Sequence, residues 1–558
     1  MPLQNPIPGV VYPSTEDTDR YQALRIFSDE TMDEAFRAIA ARFPDRLALA
    51  DLTDSYTFAQ LDARTDLIAA GLLRSGLRPL DRVIFQLVNV PELVVVLLAS
   101  LKAGLIPVCT LAAHRMAEIG YLAKLSGARA HVIHGDGQRF DFRPFAQEVR
   151  SCVSSMELTV VATGQNDGAE GAVTLEDLAD GITPEDARET LAAIPRDARQ
   201  VAMFQLSGGT SGTPKIIPRF HNEYLYQCRQ VARFQGLDQT TVAFSHAPMM
   251  HNAPIVCYWG SVLWSGGCVV CCREMTSEAI SATLEQHRPN WLAIPLPLLV
   301  KMEKEGLLDR RHFAGARISA PGNARRIRDI TGALAVPLYG MTEGIISYVH
   351  EGDPEDVWAN MVGRPISPHD EFRVIDPNTG ETLPDGRIGE FVFRGPSSIR
   401  GYFDAPERTA EVLTEDGFVR SGDLLSIHTI NGTRFLRFEG RVKDVVSRGG
   451  EKINCQEIER YLVTHPAISA VAIVPMPDPD YGERSCAFVI PAVGAVAPNV
   501  PEVGAYLEGL GVAKYKWPEH IEVVAGFPLT SSGKMSKPLL REMAADLARA
   551  RPLAKSNG

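Results

Sequence analysis

Between Leu47 and Val161 the chain alternates short apolar runs of strand length with amphipathic stretches of helical period. The order reads helix (Met32 to Arg42), strand (Leu47 to Ala50), helix (Phe58 to Leu73), strand (Arg82 to Leu87), helix (Pro91 to Ala103), strand (Ile106 to Cys109). Strand-like runs follow at Ala130 to Ile133, Leu158 to Val161 and Trp291 to Ile294. Strands apolar along their whole length need cover on both faces, and the intervening helices can supply it, so a parallel sheet under helices is expected. From Phe372 to Arg394 the pattern changes to short alternating runs separated by turn signals, which predicts an antiparallel hairpin or small barrel. A charged, glycine-rich stretch from Gly440 to Lys452 then precedes a self-contained unit. Its helices are expected at Gln456 to Thr464, Val500 to Leu510 and Lys537 to Ala550, its strands at Ile468 to Val474 and Ser485 to Ile490. The polar patch Gly164 to Gly171 reads as a surface loop.

Composition narrows the function more than the fold. Hydrophobic residues at 45% and charged residues at 22% exclude wholesale disorder. A net charge of -12 argues against a partner held through nucleic-acid phosphates, but leaves a local nucleotide site open. The nine cysteines are scattered; Cys268 and Cys271 have CxxC spacing without a second pair, so free thiols are expected rather than a zinc site. The most apolar stretch, Leu93 to Leu101, is far shorter than the roughly 20 residues of a membrane span. Met1 to Glu16 has no apolar core of a secretory signal, so a cytoplasmic protein without a membrane partner is expected.

The stretch Leu206 to Lys215 carries the most chemistry. It interleaves Gly208, Gly209 and Gly212 with Ser207, Thr210, Ser211 and Thr213 and closes on Lys215. Glycines let backbone N–H groups turn inward, hydroxyls add donors and the lysine adds charge, a composition suited to phosphates. A flexible Ser/Gly linker has the same composition. A Walker loop does not fit, because Pro214 precedes the lysine and Ile216 follows it.

This loop resembles the phosphate loop of the adenylate-forming superfamily, which contains acyl-CoA synthetases, peptide-synthetase adenylation domains and luciferases. Four more segments resemble that family in its order: Tyr339-Gly340-Met341-Thr342-Glu343, Ser421-Gly422-Asp423, Gly440 to Ile453 and Leu529 to Lys534. The resemblance covers nearly the whole chain. It implies an α/β protein with a large N-terminal domain (residues 1–440) of parallel-rich sheets covered by helices plus a small β-barrel-like subdomain. A hinge at 441–444 and a small mobile α+β C-terminal domain (445–558) follow. The implied reaction is attack of a carboxylate on the α-phosphorus of ATP with loss of pyrophosphate. Implied roles are Glu343 for Mg²⁺; Ser207 to Thr213 and Lys215 for the phosphates; and Tyr339, with Gly340, Met341 and Thr342, for adenine. Asp423 is implied for the ribose hydroxyls with Arg441 beside it, Lys443 as the hinge, and Lys534 for charge stabilisation between carboxylate and α-phosphate.

Within the family the chain resembles stand-alone ligases for 2,3-dihydroxybenzoate or salicylate, on Ile217 to Tyr224, Met250-His251-Asn252-Ala253-Pro254 and Gly482 to Ala487. The resemblance implies His251 at the gate between phosphates and acid, and Asn252 on the acid's 2-hydroxyl. Cys257 would face the ring between apolar walls from Leu338 and Ile346. Amino-acid-activating relatives carry aspartate at the Asn252 position, and asparagine offers no charge to an ammonium group. Serine at the Cys257 position goes with dihydroxybenzoate and cysteine with salicylate. The sequence departs from that branch at Ala253, where an aromatic is usual, at Ser319-Ala320-Pro321, where Gly-Gly-Ala is common, and in lacking an N-terminal Tyr-Trp motif. The expected product is an aryl-AMP passed to a pantetheine thiol of a separate carrier protein. An aryl-CoA ligase using free CoA, a phosphotransferase and a non-catalytic adenylate-binding homologue are the alternatives.

Overall fold

The computed structural model describes residues 5–135, 140–165, 171–207, 214–320, 323–448, 451–479, 481–530 and 535–550. These form two compact units, one of residues up to 371 with 393–419, the other of 372–392 with residues from 420 onward.

The first unit holds two sheets, of nine and seven strands. In the seven-stranded sheet, Arg82–Gln86, Ile106–Val108, Ala130–Ile133 and Leu158–Val161 run parallel, as their unbroken apolar pattern predicts. Val201–Ser207 joins parallel to this group, and Lys215–Phe220 closes the edge antiparallel to it. In the nine-stranded sheet, Leu47–Ala50, Cys268–Val270, Val242–Ser245, Trp291–Ala293, Arg317–Ala320 and Leu334–Gly340 are successive parallel neighbours. One core takes Leu49 and Val269 from the larger sheet, Val83 and Val132 from the smaller, and Val94 and Leu97 from the helix Pro91–Lys102. That helix is buried almost throughout and starts on a proline, whose missing N–H costs nothing in the first turn. It ends on Lys102, fully buried, with Nζ 2.5 Å from Asp62 and 2.7 Å from Asp66 of the helix Phe58–Arg74. Two carboxylates make that buried cation tolerable, and losing both would leave an uncompensated charge in the core.

The second unit contains most of a four-stranded sheet, Glu371–Ile375, Gly389–Arg394, Val419–Ile430 and Thr433–Arg441. It stands where the sequence predicted barrel-like structure, and its pairing order is that of an open sheet among the described residues. A five-stranded sheet follows, with strands Ile468–Asp478 and Gly482–Pro491 longer than expected. The hairpin Val445–Arg448 with Glu451–Asn454 and the parallel edge strand His520–Val523 are additions that local periodicity did not reveal. Helices Cys455–Leu462, Val500–Gly509 and Lys537–Ala550 stand where expected.

The compact division runs through the four-stranded sheet and not through 441–444, because the helix after that segment is tied to the hairpin before it. Asn454 Nδ2 donates to the Glu439 carbonyl (2.6 Å), and Arg460 lies 3.4 Å from the Glu439 carboxylate. Asp444, buried, pairs with Arg541 and lies 3.6 Å from Lys537 Nζ, which also meets Glu459 at 2.8 Å. No helix of the described residues is long and apolar enough to cross a membrane. All nine cysteines are free.

Candidate active site

In both sheets of the first unit the sequence's candidates sit at the carboxyl ends of parallel strands, where open α/β sheets present their sites. Val201–Ser207 ends on Ser207, Val242–Ser245 leads to His251, and Leu334–Gly340 leads into Met341, Thr342 and Glu343.

Glu343 is the centre of one cluster. It is buried at 5% exposure, and its Oε1 accepts from Ser207 Oγ (2.6 Å) and from the Tyr402 hydroxyl (3.0 Å). Lys215 Nζ stands 4.4 Å from the centre of the Tyr402 ring, so the lysine at the end of the glycine loop and the carboxylate share one aromatic neighbour. Burial and the nearby Glu343 charge both push the Tyr402 hydroxyl up, which keeps it a donor. Ser207, expected on phosphates, thus has its hydroxyl on Glu343, and Tyr402 was not anticipated at all.

The backbone around Glu343 is braced on both sides. Arg219, 1% exposed, donates to the Thr342 carbonyl (3.2 Å) and the Ser397 carbonyl (3.2 Å) and pairs with Glu223. Gln227 donates to the Gly344 carbonyl at 2.6 Å. Glu223 and Gln227 are four apart on the helix His221–Gln235 and so face the same way. Gly344 sits at φ +135°, and a Cβ there would overlap the Ser397 carbonyl, so glycine is required twice over.

A second cluster surrounds the expected acid-binding residues. Asn252, 7% exposed, accepts at Oδ1 from the Tyr224 hydroxyl (2.8 Å). Burial holds the Tyr224 hydroxyl well above the usual phenol range, so it is a permanent donor and fixes which end of the Asn252 amide it meets. His251 is half-buried and Ala253 exposed. Cys257 is buried to 1%, its thiol pushed up to about 12 by burial, and its carbonyl accepts from Trp291 Nε1 at 2.9 Å. The Tyr348 hydroxyl, an electrostatic neighbour of Cys257, lies 3.0 Å from Ser319 Oγ, the serine that departs from the expected Gly-Gly-Ala. Leu338 and Ile346 are buried and lie on adjacent antiparallel strands, Leu338 opposite Tyr348 and Ile346 opposite Gly340. Tyr339, also buried, pairs with Ser347 in the same register.

In the second unit Asp423 and Arg441 are directly paired across the hairpin, with Arg441 Nε 3.3 Å from Asp423 Oδ1. Lys443 lies in the single turn Val442–Asp444. Gly208 to Thr213 and Lys534 lie outside the described residues.

Residues 36–403 match the family model described as AMP-binding enzyme, and residues 457–534 match that of the AMP-binding enzyme C-terminal domain. The chain belongs to the AMP-binding enzymes. Among the relatives of this AMP-binding ligase is the 2,3-dihydroxybenzoate-AMP ligase of Bacillus subtilis, 35% identical over 94% of this chain and 96% of that one. The salicyl-AMP ligase / salicyl-S-ArCP synthetase of Mycobacterium tuberculosis is 34% identical over 93% and 91%. Among solved structures, apo MbtA of Mycobacterium smegmatis superposes with a TM-score of 0.70 at 30% identity, covering 96% of this chain and 98% of that one. Adenylate-forming enzymes of this family work with ATP and Mg²⁺ and pass the acyl group to a thiol acceptor.

The Glu343 cluster fits such a metal. Mg²⁺ takes one or two protein carboxylates and fills its other positions with phosphate oxygens and water. One buried carboxylate, beside a tyrosine whose ring carries the Lys215 ammonium, is a donor set of that kind. Among the described residues no group of three metal-ligating side chains competes with it.

Proposed function

We propose that this enzyme activates a 2-hydroxybenzoic acid, salicylate or a ring-substituted salicylate, to its acyl-adenylate and passes the acyl group to the pantetheine thiol of a separate carrier protein. The observation that carries this reading is the buried Tyr224–Asn252 hydrogen bond. With Oδ1 occupied by a permanent donor, the amide has its N–H end to offer. An N–H donor matches a phenolic oxygen and repels an α-ammonium group. Two relatives named for 2,3-dihydroxybenzoate and salicylate support the same substrate class.

In the first half-reaction a carboxylate oxygen of the acid forms a bond to the α-phosphorus and pyrophosphate leaves. Glu343 would hold Mg²⁺, which would neutralise charge on the phosphates. Ser207 and Tyr402 orient that carboxylate, and Lys215 adds a cation on the phosphate side. Lys534, on the resemblance, stabilises the charge that grows between the approaching oxygen and the α-phosphate. Asp423 accepts from the ribose hydroxyls, and Arg441, 3.3 Å away, orients it. In the second half-reaction the thiol sulfur attacks the acyl carbon, AMP departs with the carboxyl oxygen, and the thiol proton passes to solvent. The name salicyl-S-ArCP synthetase of one relative supports a carrier thiol as acceptor.

A pyrophosphate-release assay over a panel of acids tests the reading. Salicylate should exceed benzoate by at least about tenfold, since a site with a buried polar partner rejects the analogue lacking it. Preference for benzoate or for an α-amino acid would overturn it. Lys534→Ala should lower acid-dependent pyrophosphate exchange by about a hundredfold or more with ATP binding kept. Faster transfer to free CoA than to a carrier would replace the carrier assignment with an aryl-CoA ligase.

A further inference from the structure

The helix that carries the acid-binding residues does not wind as an α-helix. After Asn252 and Ala253 the segment Pro254–Trp259 is a π-helix, closed by i→i+5 bonding, and regular α-helix resumes at Gly260–Leu263. In an α-helix the five steps from Asn252 to Cys257 advance about 1.4 turns, which sets those two side chains roughly 140° apart. The wider i→i+5 winding takes more residues per turn, so the same five steps end much nearer the face of Asn252.

The segment is pinned from outside at two points: Tyr224 holds Asn252 just before the turn, and Trp291 Nε1 holds the Cys257 carbonyl within it. Trp259 Nε1 also donates to the Met249 carbonyl (2.9 Å), tying the turn to the segment that leads into it. Gly260 closes the turn. Its angles, φ -67° and ψ -48°, are ordinary for any residue, so conformation does not demand glycine there. Space does: a Cβ on Gly260 would lie under 3.0 Å from the carbonyl oxygen of Ile255, five residues back, and 3.1 Å from the Trp264 ring.

We propose that Gly260 is a positioning residue for acid selectivity: by leaving room for the π-turn it sets the helical phase that brings Cys257 to the acid side beside Asn252. The claim about selectivity rests on the acid-pocket reading above; the claim about winding does not.

The test combines Gly260→Ala with Cys257→Ser and with deletion of Ala253, the exposed residue just before the turn. Removing one residue between Asn252 and Cys257 leaves four steps, which an α-helix places on nearly one face, so the π-turn and the glycine both become unnecessary. Gly260→Ala should lower the melting temperature clearly in the full-length turn and by much less in the Ala253-deleted chain. Cys257→Ser should raise the 2,3-dihydroxybenzoate-to-salicylate activity ratio by roughly tenfold in the parent and by less than about threefold in the Gly260→Ala background, with KM for ATP unchanged. Equal melting losses in both backgrounds, or a Cys257→Ser effect undiminished by Gly260→Ala, would overturn the proposal. If Cys257→Ser leaves ring preference unchanged in the parent, the acid-pocket reading fails instead, and the melting comparison still reports on the winding.

Discussion

Tyr224 donates to Asn252 Oδ1, and in the proposed acid pocket this decides which end of the amide is left for the substrate. Tyr224→Phe removes that donor and strands a buried amide oxygen, a loss on the order of 1–3 kcal/mol. The expected outcome is a fall of about tenfold or more in kcat/KM for salicylate with KM for ATP unchanged, read by pyrophosphate release. His221, one turn earlier on the same helix, carries a pH dependence. Its Nδ1 accepts from the Met32 N–H at 3.2 Å, and burial pulls its pKa from 6.5 down to about 4. A pKa lowered in the folded state contributes stability above 6.5 that is lost as pH falls toward 4, on the order of 3 kcal/mol here. His221→Asn keeps an acceptor that does not titrate, so its melting temperature should fall less than the parent's between pH 6.5 and 4. The contiguous motifs that hold Glu343 and Asp423 were legible in the sequence. Tyr402 was not, because it reaches Glu343 across 59 residues of chain and no local pattern marks it.

Most strands and helices were legible, since buried parallel strands and amphipathic helices write their period into the chain. The π-turn was not: Pro254 to Trp259 is apolar at every position, and a run without polar residues has no phase to read. The Arg219 brace joins a strand end to a helix face, and its purpose appears only when residues 342–344 and 397 arrive beside it. Arg219→Lys retains the charge but not the planar fork that reaches two carbonyls and Glu223 together. Its KM for Mg²⁺·ATP should rise by about tenfold while KM for the acid stays within about twofold. A parallel rise in both would mark general damage to the fold rather than a displaced Glu343.

At the scale of the whole molecule, residues 441–444 lie inside one compact unit, and Asn454 and Arg460 reach back from the following helix to Glu439. The sequence could show a charged, glycine-rich joint but not which of its sides would be gripped. Lys443 as a hinge is a proposal with a direct test. Lys443→Pro, with φ fixed near -65°, should spare pyrophosphate exchange and slow thioester formation about tenfold or more. Equal loss of both steps would point to misfolding. The salt-bridged Asp444 adds a mechanical consequence. It follows the proposed pivot directly and grips Arg541 and Lys537 of the last helix, although most of the C-terminal chain lies between them. The joint and that helix are thereby linked directly as well as through the intervening sheet, like a crank keyed to its shaft. If the chain turns at Lys443 as proposed, the ion pairs of Asp444 tie residues 537 and 541 to that turn.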